Sequence, residues 1–436
     1  MVKKLMPVLL LTAALTLNLS AEPFAEGRLT DATLRLDYIF SGAYHDCDIA
    51  VAGIHKLDGW AGRRLNMKEL AVQGDGQLTM TDAATGDTLY RMSFCTLFQE
   101  WLGTEEAHRT RKSFENVFLV PMPAAPVNVN VRLLDSRNRV SAEFSHPVDP
   151  ADILIDPVDV SGKPECRLLH GDGNSRDRID VVIMAEGYDR NDTGKFYSDA
   201  ETAVRNLMSH EPFKSMQDRF NIIAAATVSE DSGVSVPRAG IWRNTALSSH
   251  FDTFYSDRYL TTGKQFRMHD LLAGIPYESI IILANADTYG GGGIYNLYTL
   301  ASTGHPSFGP VVVHEFGHSF AGLADEYAYD GTAPADQTTD VEPWQQNITT
   351  KVDFASKWQD LYEQGTAGLV EGAAYQPKGY WRACEDCRMR TNAAPEFCPV
   401  CRRAVENMIR YLTEVLLIRL FCLSLRDKTK NYEKFH

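Results

Sequence analysis

The segment PVVVHEFGHSFAGLADEY, from Pro310 to Tyr327, constrains the fold more than any other part of the chain. Pro310 suits the first position of a helix, because the N–H that proline lacks has no partner there. Gly322 is a natural helix terminator. The apolar residues between them recur at helical spacing: Val311, Val312, Phe316 and Phe320. The sequence therefore predicts an apolar helix that ends at Gly322.

Two histidines on this predicted helix have the spacing of metal ligands. His314 and His318 stand four residues apart, so their imidazoles project from one face, as two ligands of a tetrahedral Zn²⁺ must. Glu315 follows the first histidine and lies beside the metal without needing to bind it. Its carboxylate can take a proton from a zinc-bound water and later deliver it to the leaving amine. The pattern predicts a catalytic zinc site with Glu315 as acid and base.

The third ligand must come from outside the helix. After the break at Gly322 the chain can turn back and present either Asp325 or Glu326, because adjacent side chains do not easily point to the same ion. Asp325 follows the second histidine by seven residues and is the favoured ligand. Glu326 would then lie outside the ligand set and orient a ligand. A ligand from farther along the chain stays open.

Sequence patterning changes once along the chain, near residue 159. Residues 22–158 contain short alternating runs such as VNVNVRLLD, which are typical of an antiparallel β-sandwich. Residues 159–425 contain apolar runs such as IDVVIMAEGY and YESIIILANAD, separated by amphipathic helical stretches such as KFYSDAETAVRNLMSH. Such runs suit strands that are buried on both faces of a sheet. The predicted fold class is α+β and multidomain, and residues 426–436 form a tail.

The N-terminus predicts export. Lys3 and Lys4 precede an apolar run, and small residues follow at Ser20 and Ala21, as in a secretory signal peptide spanning residues 1–21. We therefore expect a periplasmic or extracellular protein. No later stretch has the roughly 20 apolar residues of a transmembrane helix. The 43 basic and 57 acidic residues give a formal charge of −14, which disfavours nucleic acid as a partner.

Four of the eight cysteines form two pairs near the end of the sequence. Cys384, Cys387, Cys398 and Cys401 give the spacing C-x2-C-x10-C-x2-C, which suits a structural zinc site. Thiols in an oxidising compartment also pair as disulfides. The sequence leaves a second, structural zinc and disulfides both open.

The motifs HEFGHSFAGLADEY and CRMRTNAAPEFCPVC together resemble those of the IgA peptidase family of zinc metallopeptidases. The resemblance covers the mature chain and implies an N-terminal β-rich domain followed by a zincin-like catalytic α/β domain. It implies His314 and His318 as zinc ligands, Glu315 as acid and base, and a carboxylate of ADEY as the third ligand. Met389 resembles the Met-turn residue of metzincins, which forms an apolar floor beneath the metal. The family name does not transfer a substrate to this chain.

A glycine-rich segment, ANADTYGGGGIYN, precedes the predicted catalytic helix. Zincin peptidases place an edge strand above the metal, where it pairs with extended substrate. Gly291, Gly292 and Gly293 are therefore the predicted substrate-binding residues. A hairpin tip without a binding role is the alternative.

These features predict a secreted zinc-dependent metalloendopeptidase that hydrolyses peptide bonds of extracellular proteins or glycoproteins. One alternative is an exported binding protein with a purely structural zinc site. Another is a zinc hydrolase that acts on cell-wall peptides or glycopeptides. Glu315 favours an enzyme, because a structural site needs no carboxylate beside an open coordination position.

Overall fold

The structure is a computed structural model that describes residues 24, 26–329 and 338–415. The predicted signal peptide (1–21), the predicted tail (426–436) and Cys422 lie outside the described residues. The described part has mixed α/β architecture, with four sheets and comparatively few helices. The predicted combination of a mixed α/β fold with a separate N-terminal domain is confirmed.

The N-terminal region contains two four-stranded sheets, ordered β5-β1-β2-β8 and β4-β3-β6-β7. Neighbouring strands are antiparallel except for the short pair β2 and β8, which is parallel. The element bounds are β1 Leu29–Ala43, β2 Asp46–Asp58, β3 Gly76–Asp82, β4 Thr88–Phe94, α1 Leu97–Leu102, β5 Lys112–Pro123, β6 Val127–Leu134, β7 Val140–Val148 and β8 Asp156–Pro157.

Alternating side chains explain how these two sheets share one core. In β6 every second residue, from Val127 to Leu133, is buried, while the residues between them are exposed or half-buried. Tyr38 and Phe40 of β1 in the first sheet join the same hydrophobic cluster as the inward face of β6. Burial of this shared face is the main stabilising contribution to the N-terminal region.

The second region begins with an edge strand and alternates strands with helices. The element bounds are β9 Glu165–His170, β10 Ile179–Glu186, α2 Thr193–Ser209, β11 Phe220–Ala226, α3 Gln265–Leu271, β12 Ser279–Ala284, β13 Gly291–Ile294, β14 Tyr298–Ser302, α4 Phe308–Ala321, β15 Ile348–Thr349, α5 Gln359–Glu363, β16 Val370–Ala373, β17 Gln376–Arg382 and α6 Pro399–Thr413.

A six-stranded sheet organises this region, in the order β13-β14-β12-β10-β11-β9. The four central strands are parallel, and the two edge strands, β13 and β9, are antiparallel to their neighbours. Every residue of β10 is buried, as the continuous apolar run predicts. Helix α4 packs on β13 and β14, so the predicted catalytic segment lies against one edge of the sheet.

A three-stranded sheet, ordered β15-β17-β16, follows α4 in the sequence. The turn between β16 and β17 forms backbone hydrogen bonds with the segment that directly follows α4. Helix α6 begins at Pro399 because the Cys398 side chain caps its N-terminus. Among the described helices, none has the length and apolar character that crossing a membrane requires.

Candidate active site

Helix α4 carries the two predicted histidine ligands and ends where the sequence predicts. It begins at Phe308, two residues before the proline that was expected at its first position. Gly322 has φ 62° and ψ 34°, the left-handed conformation that glycine tolerates best. Its N–H donates to the His318 carbonyl at 2.9 Å, and the Leu323 N–H donates to the Gly317 carbonyl at 3.2 Å. These bonds close the helix and turn the chain back toward the histidines.

Two imidazole nitrogens and one carboxylate oxygen converge beside this turn. The Nε2 atoms of His314 and His318 are 3.0 Å apart, and Asp325 Oδ1 lies 3.1 and 3.3 Å from them. Ligands of a tetrahedral zinc at about 2.0–2.1 Å are separated by about 3.3 Å, so the three atoms have the spacing of one tetrahedral face. Asp325 is only 8% exposed, and its Oδ1 has no hydrogen-bond partner among the described residues. A cation at this point would complete the polar interactions of the buried carboxylate.

Backbone carbonyls fix which nitrogen of each histidine faces this point. His314 Nδ1 lies 2.9 Å from the Arg388 carbonyl, and His318 Nδ1 lies 2.5 Å from the Leu323 carbonyl. A carbonyl only accepts, so each Nδ1 carries the proton and each Nε2 keeps its lone pair for a metal.

The adjacent acidic residues point in different directions. Asp325 faces the two histidines, whereas Glu326 faces the thiols of Cys398 and Cys401. Asn347 fixes this arrangement, because its amide donates to Glu326 Oε1 at 3.0 Å and to the Ala324 carbonyl at 2.8 Å. The structure therefore brings Asp325 to the histidines and separates Glu326 from them.

Burial and the neighbouring charges act in opposite directions on the pKa values of Glu315 and Asp325. Burial raises the pKa of Glu315, and the nearby histidines only partly oppose this. Burial also acts to raise the pKa of Asp325, but electrostatic attraction to His318 and His314 brings it well below its usual range. Asp325 is therefore ionised, as a metal ligand must be.

The Glu315 side chain lies between α4 and the glycine strand. Its Oε1 is 2.9 Å from the position that a Cβ on Gly291 would occupy. No hydrogen bond from the described protein engages its carboxylate, so both oxygens are available to a water or a substrate amine. One of its carboxylate oxygens lies within 4.8 Å of a ring nitrogen of each of His314 and His318.

Gly291, Gly292 and Gly293 form most of β13, and each packs against a neighbour. A Cβ on Gly293 would lie 2.2 Å from the Glu315 carbonyl oxygen, and one on Gly292 would lie 2.9 Å from the Tyr259 ring. The outer edge of β13 forms a parallel bridge to Tyr259 at Gly291. The glycines thus allow close packing on α4, and the pairing of this strand with substrate stays a prediction.

Met389 lies beneath α4 and is fully buried. Its sulfur is 2.8 Å from the position of a Cβ on Gly317, so the helix passes directly over it. The Met389 carbonyl accepts from the Glu326 N–H at 2.8 Å. The segment that resembles a Met-turn therefore supports both α4 and the chain that carries the acidic pair.

Two residues near the site escaped prediction. Tyr375, at the turn between β16 and β17, donates from its hydroxyl to Asp325 Oδ2. Glu100, on α1 of the N-terminal region, accepts from the Tyr259 hydroxyl, and its charge interacts with those of His318 and Glu315. Neither residue belongs to a local motif, so no signal in the sequence assigns it to the site.

The C-terminal cysteines also converge. Three of them, Cys387, Cys398 and Cys401, form with Glu326 a buried group whose ligand atoms all lie within 4.8 Å of one another. Cys384 is half-buried and interacts with Cys398 through its thiol. No disulfide joins the cysteines of the described residues. A possible cysteine-rich metal site is therefore present beside the histidine site.

Comparison with protein-family models identifies the chain. Residues 168–369 and 364–409 match the model described as IgA Peptidase M64, which covers more than half of the sequence. Residues 25–145 match the model described as Peptidase M64 N-terminus. No curated protein matches the chain. The family resemblance of the two motifs is confirmed: the chain belongs to the IgA peptidase M64 family, which indicates a peptidase and implies a metal at its active site.

Proposed function

We propose that the protein is an exported zinc-dependent metalloendopeptidase in which His314, His318 and Asp325 hold the catalytic Zn²⁺. The observation that carries the proposal is the triangle of ligand atoms, 3.0–3.3 Å on each side, with a buried carboxylate oxygen that has no hydrogen-bond partner. Three protein ligands leave the fourth position of a tetrahedral ion for water or substrate, which distinguishes a catalytic from a structural site.

Zinc bound there would polarise the scissile carbonyl and lower the pKa of a coordinated water. Glu315 takes a proton as the water oxygen bonds to the carbonyl carbon, and gives that proton to the nitrogen as the C–N bond breaks. Its raised pKa, caused by burial, suits a group that must hold the proton between these two steps. The hydrogen bonds on His314 and His318 keep both Nε2 atoms directed at the ion.

The N-terminal sheets are proposed to form a β-sandwich over residues 22–158, and residues 159–425 a zincin-like catalytic domain. Gly291, Gly292 and Gly293 are proposed to line the substrate cleft beside Glu315. The substrates are proteins or glycoproteins met in the periplasm or outside the cell, since the predicted signal peptide directs export.

The test compares Glu315→Gln with wild-type protein. We expect the variant to keep its zinc, measured by elemental mass spectrometry, and to lose about 10²–10⁴-fold in cleavage of casein, immunoglobulins and quenched peptides. Glu201→Gln, at an exposed position of α2, is the matched control and should cleave normally.

Retained cleavage in Glu315→Gln would contradict the mechanism. Zinc-loaded wild-type protein that cleaves no protein but does cleave cell-wall peptides would redirect the proposal to that substrate class. A zinc-loaded protein that cleaves neither would instead support an exported binding protein.

A further inference from the structure

A second cluster of metal-binding donors lies next to the proposed catalytic site. The thiols of Cys387, Cys398 and Cys401 and the carboxylate of Glu326 are buried, with residue exposures of 1%, 5%, 0% and 0%. Glu326 Oε2 has no hydrogen-bond partner among the described residues. A buried carboxylate among thiols is costly unless a cation or a set of donors compensates it.

The distances within the cluster suit a tetrahedral metal. Thiolates bound to zinc at about 2.3 Å are about 3.8 Å apart, and a carboxylate oxygen and a thiolate are about 3.5 Å apart. The Cys387 and Cys401 sulfurs are separated by 3.8 Å. Glu326 Oε1 lies 3.0 Å from the Cys401 sulfur and 3.9 Å from that of Cys398. Both kinds of spacing are close to those of a bound ion.

The surroundings stabilise the charge that such a site would carry. Backbone N–H groups point at two of the sulfurs, from Cys398 to Cys387 at 3.2 Å and from Cys401 to Cys398 at 3.5 Å. Three thiolates, one carboxylate and Zn²⁺ together have two excess negative charges. Arg382 and Arg388, 5% and 4% exposed, place positive charge near Glu326 and Cys387 respectively, and they share it with the carboxylates of Glu385, Asp386 and Glu396.

We propose that Cys387, Cys398, Cys401 and Glu326, whose ligand atoms all lie within 4.8 Å of one another, bind a second, structural Zn²⁺. Cys384 lies outside the ligand set, because its thiol contacts that of Cys398 but does not belong to this group of four. This assignment differs from a four-cysteine site, because a carboxylate takes the place of the first cysteine. It also gives the adjacent residues Asp325 and Glu326 one metal each.

Two hydrogen bonds connect the second site to the catalytic one. Cys387 is followed by Arg388, whose carbonyl orients His314, and by Met389, whose carbonyl accepts from the Glu326 N–H. A metal at Cys387 would therefore hold both the orienting carbonyl and the acidic pair in place. This effect on catalytic zinc rests on the proposed function, whereas the second site itself does not.

Metal stoichiometry and cobalt spectra of the full chain test the proposal. We expect two zinc ions per wild-type chain, and a near-ultraviolet thiolate-to-cobalt charge-transfer band after substitution with Co²⁺. The proposed catalytic ligands include no thiolate, so this band reports only the second site. Cys401→Ser should lose one metal and the band, Glu326→Gln should release the second metal about 10–100-fold more readily to a chelator, and Cys384→Ser should behave as wild type.

Alkylation of wild-type protein, followed by mass spectrometry, keeps the test valid if Cys401→Ser does not fold. Cys387, Cys398 and Cys401 should react only after chelation, and Cys384 before it. Disulfide-linked cysteines with a single zinc per chain would overturn the proposal. So would loss of the second metal in Cys384→Ser with its full retention in Glu326→Gln. A metal count of two without peptide cleavage would leave this site intact while removing the proposed peptidase function.

Discussion

Tyr375 reaches the proposed catalytic site because two consecutive residues adopt left-handed backbone conformations. Ala374 and Tyr375, with φ of 50° and 65°, form the two-residue turn between β16 and β17. Such turns favour Asn and Gly, and each other residue type costs on the order of 1–2 kcal/mol. Hydrogen bonds offset this cost: the Ala374 N–H donates to the Asp325 carbonyl at 2.9 Å and the Tyr375 N–H to the Tyr327 carbonyl at 3.0 Å. The segment that contains Asp325 therefore stabilises the strained turn, and the turn places the Tyr375 hydroxyl at Asp325.

Replacing Tyr375 with Phe should weaken zinc binding about 10–100-fold, because Asp325 Oδ2 loses the donor that orients it. Competition with a chromogenic chelator measures this affinity. Tyr380→Phe is the control, since that hydroxyl, on the same hairpin, donates to the Thr338 carbonyl and not to the site. Equal zinc affinities in the two variants would remove Tyr375 from the set of orienting residues.

The prediction of the proposed site rests on local spacing for the residues that are close in sequence. His314, Glu315 and His318 are positioned by one helix, so their relation follows from helical geometry. The choice of Asp325 as third ligand stays a prediction, although the turn at Gly322 places its carboxylate beside the histidines. Tyr375 lies 50 residues away from its partner, and contacts of this kind depend on tertiary packing that a single sequence does not encode in a readable pattern.

At the scale of elements, glycine sets the distance between β13 and α4. The two elements approach so closely that a Cβ on Gly293 would lie 2.2 Å from a backbone oxygen of α4 and 2.9 Å from the Cβ of His318. Backbone atoms cannot move aside as a flexible side chain can, so the strand itself would have to shift. The comparison with zincin peptidases predicted an edge strand here, with a hairpin tip as the alternative, and the close packing of this strand on α4 was not predicted.

Gly293→Ala should therefore destabilise the protein by about 1–3 kcal/mol and reduce peptide cleavage, because β13 would move away from α4 and the proposed cleft. Denaturant unfolding and a peptide assay measure the two effects. Gly194→Ala is the matched control: nothing lies within 4 Å of its added Cβ, and alanine at this position of α2 should leave stability unchanged or raise it by up to about 1 kcal/mol. A Gly293→Ala protein as stable and active as wild type would show that the close packing is not required.

At the scale of the whole molecule, the N-terminal region is docked on the catalytic region through buried charge. Arg63 is 8% exposed and lies between Tyr90 of β4 and Tyr411 of α6, at 4.5 and 5.0 Å from the two ring centres. Glu278, just before β12, lines the same interdomain cavity of about 470 Å³. Domain order and approximate boundaries could be proposed from patterning, but this docking could not, because neither Arg63 nor Glu278 belongs to a recognisable motif.

Glu278 should make the stability of the docked molecule depend on pH. Burial, aided by the nearby Asp180 carboxylate and opposed by Arg63, raises the pKa of Glu278 from 4.5 to about 8. Between these two values the unfolded chain loses a proton that the folded protein keeps, so this group lowers the free energy of unfolding as the pH rises from 4.5 to 8. Glu278→Gln removes the ionisation and should stabilise the protein at pH 8 by about 1 kcal/mol after solvent screening, a shift of about 1 °C in the thermal midpoint of a molecule this size, while matching wild type near pH 4. Calorimetry between pH 4 and pH 8 measures the difference in thermal midpoint between the variant and wild type. Glu105→Gln, at an exposed position, is the control. A stabilisation of the same size at both pH values would assign the effect to packing and not to ionisation.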